Sequence, residues 1–152
     1  MDPKRIVADG YDTMAERYLA WSDLRPSATR LRYLALALEL IPAGSDVLEL
    51  GCGAGIPMTA ALAEGRAVTG VDISATQLDL ARRNVPGATF LQADMTTLAF
   101  APGSFDAVVA FYSLTHVPRD EQAELVGRIR RWLRPGGLFL ASLGADDEPG
   151  DV

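Results

Sequence analysis

The apolar run Val47, Leu48, Glu49, Leu50 breaks at Gly51, and glycine returns at 53 and 55. A short apolar run that ends at closely spaced glycines reads as a buried strand entering a tight turn. Helical patterning resumes at once over residues 57–64, with Pro57 suited to a first turn and Gly65 suited to the C-terminal end. Strand, glycine turn and helix in direct succession form the first half of a parallel crossover unit. A chain that starts this way has few architectures open to it.

The pattern then repeats. Residues 68–71 give a second strand, and Ser74 opens a helix that runs to about Asn84, with Gln77 at capping-box spacing. Residues 89–93, 106–111 and 138–143 read as three more strands, each preceded by turn or polar residues, and a helix over about residues 120–133 separates the last two. Before the first strand, Tyr11, Met14, Tyr18 and Trp21 recur at helical spacing, as do Leu31, Leu34, Leu38 and Ile41 after Pro26. Strict alternation of strands and helices predicts an α/β fold, a parallel sheet with helices on both faces joined by right-handed crossovers. With no internal repeat or linker, a single domain over residues 1–152 is expected: N-terminal helices to 43, a core over 44–145 and an acidic tail over 146–152.

Composition removes several functions. At 152 residues and 49% hydrophobic the chain can bury a core. Its net charge of −6 gives no attraction to phosphate backbones or anionic lipid, so neither nucleic acid nor membrane is an expected partner. Cys52 is the single cysteine, which rules out an internal disulfide; with no secretory or membrane-spanning pattern, a cytoplasmic location is the expectation. Lys4 is the one lysine and His116 the one histidine, which leaves a Walker-type phosphate loop, a Schiff-base lysine in the core and a multi-histidine metal site unsupported. No G-x-S-x-G elbow occurs. The fourth strand ends in Phe111, Tyr112 and Ser113, with no carboxylate for a hard cation, so no metal is expected. Asp146, Asp147 and Glu148 read as a solvated tail.

In an open parallel sheet, ligands bind beyond the carboxyl ends of the strands where strand order reverses. Gly51, Gly53 and Gly55 fall there, and the following helix N-terminus offers free N–H groups and partial positive charge. Asp72 closes the second strand seventeen residues after Gly55, where a carboxylate can accept two hydrogen bonds from a ribose diol. Asp94 closes the third strand, where it can accept from an adenine amino group. Plainer readings stay open: a glycine-rich connection, and aspartates that cap helices or sit solvated in loops. A dinucleotide fingerprint fits less well, since its third glycine position is Ile56 when counted from Gly51 and Met58 when counted from Gly53.

These residues resemble the class I S-adenosylmethionine-dependent methyltransferases, especially the small-molecule group with an E-L-G-C-G-x-G loop. Besides LELGCGAG, the segments VTGVDIS, FLQADM, SFDAVVAFYSLTHV and LRPGGLFLAS follow that family's blocks in order, over about residues 10–145. The resemblance implies a Rossmann-like three-layer sandwich of strand order 3-2-1-4-5, with N-terminal helices and S-adenosylmethionine as cofactor. It implies that Glu49, Gly51, Gly53 and Gly55 surround the methionine part and that Asp72 holds the ribose hydroxyls. Ile73 and Met95 would flank the adenine, with Asp94 on its amino group. Cys52 and Gln77 count with the same cofactor site, and Phe111 would offer a backbone carbonyl to the cofactor's amino group. Tyr11 and Tyr18, in a Y-D-x-x-A-x-x-Y segment, resemble tyrosines that cover the methionine carboxylate; tyrosines at that spacing also serve as core or interface residues.

Methyl transfer is an in-line displacement in which positioning supplies much of the rate. For a hydroxyl or amine acceptor a general base helps, and His116 is the one histidine available; the other reading is a loop-packing residue beside Pro118. The expected function is transfer of a methyl group to a small-molecule acceptor. The alternatives are a cofactor-binding module without transfer activity and, third, a nicotinamide oxidoreductase. The chain ends soon after its fifth strand, whereas the family usually continues into a helix and two antiparallel strands. That strand is then an apolar edge with nothing to blunt it. The expectation is a fragment, or a short form that pairs there with a second copy or another chain as an oligomer.

Overall fold

The computed structural model describes residues 4–5 and 28–143. The first described helix, α1 (Ala28–Leu40), leads into strand β1 (Asp46–Leu50), followed by α2 (Met58–Ala63), β2 (Ala67–Asp72), α3 (Ala75–Asn84) and β3 (Thr89–Gln92). Strand β4 (Phe105–Phe111), helix α4 (Arg119–Trp132) and strand β5 (Leu133–Ser142) complete the order. The strands form one parallel sheet, β3-β2-β1-β4-β5, so strand order reverses at β1 as expected. The helix expected around Tyr11 to Trp21 lies outside the described residues. Among those described, no helix is long and apolar enough to cross a membrane.

The alternation of side chains along the strands makes three layers. Val47 and Val109 face Ala37, Ile41, Met58 and Leu62 of α1, α2 and their flanks. Leu48, Leu50, Val108 and Ala110 point the other way, into a cluster with Leu125, Ile129 and Trp132 of α4. Helix α3 packs Leu78 and Ala81 against Phe90 of β3 and Cys52 of the glycine turn. Strand β1 is buried in all but its first residue, which explains why its sequence is a run rather than an alternation.

Two expectations are corrected. The apolar stripe of α1 is not Leu31, Leu34, Leu38 and Ile41: Leu31 and Leu38 are exposed, and the buried face is Ala37 and Ile41, with Leu34 packed beside them. Ala37 lies against the sheet because its small side chain lets the helix approach closely, which rotates the two leucines outward. The C-terminus of α1 is then closed by Arg66, whose Nε and Nη2 donate to Ile41 O at 2.9 and 2.7 Å, a cation at the negative end of the helix.

The second correction concerns β5, expected over residues 138–143. It begins at Leu133, paired with Phe105, and shifts register before the regular ladder of Leu138 with Ala107 to Ser142 with Phe111. That first half carries Arg134 and Pro135 along an irregular stretch, devices that do blunt an edge. Arg134 reaches across to Asp46 and Asp106 at 2.9 and 2.8 Å, but the group is exposed and contributes little to stability.

Gly70 in β2 is a glycine because of what faces it. A Cβ there would lie 2.9 Å from Cys52 Sγ and from the Phe90 ring. Gly70→Ala is expected to destabilise the fold by about 1–3 kcal/mol through overpacking, read from urea unfolding midpoints. A loss under about 0.5 kcal/mol would mean that Cys52 and Phe90 move aside freely.

Candidate functional site

The site grows from the turn after β1. Gly51 and Cys52 both donate their N–H to Val71 O, at 2.7 and 3.0 Å, so the turn is tied to β2. Gly51 has φ 75°, and a Cβ on it would sit 2.4 Å from Ser113 Cβ. Ser113, just past β4, donates its hydroxyl to Leu50 O at 2.8 Å and closes the turn from the other side. Gly53, with φ 56°, donates to Asp72 Oδ2 at 2.9 Å. Its missing Cβ would meet nothing within 4 Å, which leaves backbone open to a ligand.

Asp72 is therefore a structural carboxylate as well as a candidate ligand. Its Oδ1 accepts from Ser74 N at 2.9 Å. Ser74 caps α3 by accepting from Gln77 N at 3.1 Å, as its spacing predicts. The capping box is only half built, however, because Asp72 has taken the Ser74 N–H that a Gln77 side chain would otherwise accept. Gln77 Oε1 is left buried, without a partner, in a residue that lines a cavity. A buried acceptor in that position fits a site that completes itself with a polar ligand.

That cavity, of about 160 Å³, lies beyond the carboxyl ends of β1, β2 and β4. It brings together Glu49, Gly51, Cys52 and Gly53 from the turn with Asp72, Ile73 and Gln77 from the next one. Asp94, Met95, Phe111 and His116 also line it. Gly55 does not: a Cβ there would press 3.1 Å against Val85 and 3.4 Å against Ala81, so this glycine serves the packing of α3 on the turn. Tyr11 and Tyr18 lie outside the described residues.

Three carboxylates share this space, each satisfied differently. Glu49 is buried and accepts from Thr59 Oγ1 at 2.7 Å. Burial above all, with the nearby Asp72 charge, pushes its pKa up to about 7 against the opposing Thr59 bond. Burial also pushes the Asp94 carboxyl up, but bonds from Lys4 and Thr96 outweigh it and hold it below the usual carboxylate range. Thr96 donates from its N–H and its hydroxyl at 2.9 and 2.8 Å, and Lys4 Nζ lies 2.8 Å from Oδ2. The Cys52 thiol is pushed strongly up by burial and then by Glu49 and Asp72, which makes it an inert wall rather than a nucleophile.

Sequence reasoning missed Lys4, Arg30, Tyr112 and Ser113, all of which line the cavity. The glycine at 51 hints at a close neighbour without naming Ser113. Lys4 and Arg30 have no local signal, since both reach the site from distant segments.

Comparisons with known proteins identify the family. Residues 47–137 match a family described as a methyltransferase domain. An uncharacterized methyltransferase from Synechocystis is 34% identical over 110 residues, covering 72% of this chain and 52% of its own length. Trans-aconitate 2-methyltransferase from Paracidovorax citrulli is 39% identical over 118 residues, covering 76% and 45%. The solved DhpI-SAM-HEP complex superposes with a TM-score of 0.72 at 27% identity, covering 91% of this chain and 66% of that one. The chain belongs to the class I S-adenosylmethionine-dependent methyltransferases. It spans about half the length of these two curated relatives.

The raised Glu49 pKa has a sign that can be checked. Its folded value of about 7 exceeds the ordinary 4.5, so the folded state binds the proton more tightly. That contribution to stability is full below about pH 4.5 and is lost as pH rises to about 7, by about 3 kcal/mol in all. Glu49→Gln keeps an acceptor for Thr59 and removes the titration, so it should be the more stable protein at pH 8. Parallel stability curves for parent and variant between pH 4.5 and 7 would contradict this assignment.

Proposed function

We propose that this chain binds S-adenosylmethionine in the cavity at the ends of β1, β2 and β4 and transfers its methyl group to a small-molecule acceptor. The observation that carries this reading is the convergence of Glu49, Asp72 and Asp94 on one cavity beside an open glycine backbone and the unpartnered Gln77 Oε1. Carboxylates in that arrangement suit a ligand that is a nucleoside at one end and cationic at the other.

The residues divide the work along the ligand. Asp72, which holds Gly53 and Ser74, takes the ribose hydroxyls. Asp94 takes the adenine amino group, between Ile73 and Met95. Gly51, Cys52 and Gly53 let the methionine part lie against backbone, while Glu49 and the Phe111 carbonyl face its ammonium. Tyr11 and Tyr18 are assigned to its carboxylate. Bound there, S-adenosylmethionine supplies a methyl group already activated on a sulfonium. His116, on the short turn Leu114–His116 that lines the same cavity, accepts the proton released by a hydroxyl or amine acceptor.

Calorimetry with S-adenosylhomocysteine should show one-to-one binding, weakened at least about tenfold by Asp72→Ala through loss of charge-assisted bonds. Incubation with methyl-labelled S-adenosylmethionine and an acceptor library should release S-adenosylhomocysteine. His116→Ala should then lower kcat by about 10²–10⁴-fold while leaving cofactor affinity in place. Absence of S-adenosylhomocysteine binding defeats the proposal; binding without turnover leaves a cofactor-binding module, and unchanged turnover in His116→Ala removes that residue from the chemistry.

A further inference from the structure

Asp94 lines the cavity, and a cation distant in sequence meets it there. The Lys4 ammonium lies 2.8 Å from Asp94 Oδ2 and 2.5 Å from Glu121 Oε2, and it donates to Thr96 Oγ1 at 2.7 Å. Glu121 stands in the first turn of α4, whereas Asp94 caps the short turn Met95–Thr97 that follows β3. One side chain therefore ties that turn to the start of a helix. With the Lys4 side chain only 18% exposed, this is not the kind of pair that water and salt leave without effect.

The bridge bears on what Asp94 can recognise. Thr96 donates twice to Oδ1, from its N–H at 2.9 Å and its hydroxyl at 2.8 Å, so a ligand's donor is left to Oδ2, the oxygen that Lys4 holds. Thr96 is itself fixed from α4, where Arg128 Nη1 donates to its carbonyl at 2.7 Å. An ionised carboxylate only accepts hydrogen bonds, whereas a protonated one carries an O–H that donates. Burial pushes the Asp94 carboxyl toward its protonated form, and the Glu121 charge on the same ammonium acts in that sense too. Lys4 is the cation that opposes both. Burial works against its own charge, but its bonds to Asp94 and Glu121 outweigh that and raise its pKa. The other ionisable groups of the lining are Arg30, Glu49, Cys52, Asp72, Tyr112 and His116.

We infer that Lys4 is a positioning residue for recognition of the nucleobase. Through its bonds to Asp94, Thr96 and Glu121 it keeps the Asp94 carboxylate an oriented group that only accepts, so that a 6-aminopurine is preferred over a purine without the amino group. This deepens the S-adenosylmethionine reading and rests on it.

Calorimetry on the full chain compares S-adenosylhomocysteine with its 6-deamino analogue, in which purine replaces adenine, at pH 8 and pH 5. Both ligands carry the same homocysteine, so titration of Glu49 and His116 cancels in the ratio of their affinities. The parent should prefer the adenosyl ligand by about tenfold or more at both pH values, in keeping with a charge-assisted bond. In Lys4→Gln that preference should fall by about threefold or more from pH 8 to pH 5, because Asp94 without its ammonium takes up a proton as pH falls. The parent's ratio should stay within about twofold over the same range, and Lys4→Arg should behave as the parent does. The role of Lys4 is overturned if the Lys4→Gln preference matches the parent's at both pH values, or if it falls equally at both, as loss of a merely structural tie would give. It is also overturned if Lys4→Arg behaves like Lys4→Gln. Equal binding of the two ligands by the parent removes the amino contact and the Lys4 role while leaving cofactor binding in place. Failure of S-adenosylhomocysteine to bind at either pH defeats the methyltransferase reading itself.

Discussion

The Asp72 carboxylate is the joint on which the site depends. One oxygen holds Gly53 of the first turn and the other holds Ser74 at the start of α3. With Gly51 and Cys52 both donating to Val71 O, the glycine turn is fastened to the neighbouring strand as well as to its own short helix, where Ala60 donates to Gly55 O. The six residues of α2 are too few to organise a turn by themselves. The turn is thus ordered by the protein's own bonds, and a ligand meets backbone already in place, without the entropy loss of ordering a loop.

The same joint explains how the fold tolerates three carboxylates around one small space. Like charges in a partly apolar cavity disfavour one another unless each is neutralised or bonded. Asp72 is bonded by two amides. Asp94 is paired with Lys4 and capped onto Thr96. Glu49, the most buried of the three, keeps its proton to higher pH than an ordinary carboxyl. A ligand that brings a cation to Glu49 would favour its ionised form, so binding and deprotonation would be linked. Burial that disfavours the charged carboxylate would thereby favour a ligand of positive charge.

The strands and the residues that line the cavity at their carboxyl ends were legible because both are written locally. The run at Val47 to Leu50, the glycines, and the aspartates at strand ends each follow from backbone constraints: full burial, tight turning, and capping of the next element. Strand order followed from alternation and crossover handedness together with family resemblance. The failures have a common cause in tertiary context. The buried face of α1 was set by how closely Ala37 can approach the sheet, which overrode a periodic pattern equally consistent with Leu31 and Leu38. The start of β5 was hidden because Arg134, Pro135 and Gly136 read as a loop, yet they extend the strand through a register shift.

Arg30 and Tyr112, which complete the cavity lining, were illegible for a deeper reason. A cofactor common to a family must be met by backbone and by side chains at fixed places on the sheet, and such places leave motifs. An acceptor particular to one protein is met by side chains from segments with no shared geometry. Arg30 and Tyr112 are far apart in sequence, one on a helix before the sheet and one just past its fourth strand, and nothing in either segment announces the other. Tyr112 looked like the tail of an apolar strand; only its left-handed backbone distinguishes it from Phe111 before it, whose ring packs inward. The cavity lining thus divides by origin, with one part fixed by the ends of the strands and the other supplied by side chains that lie across them.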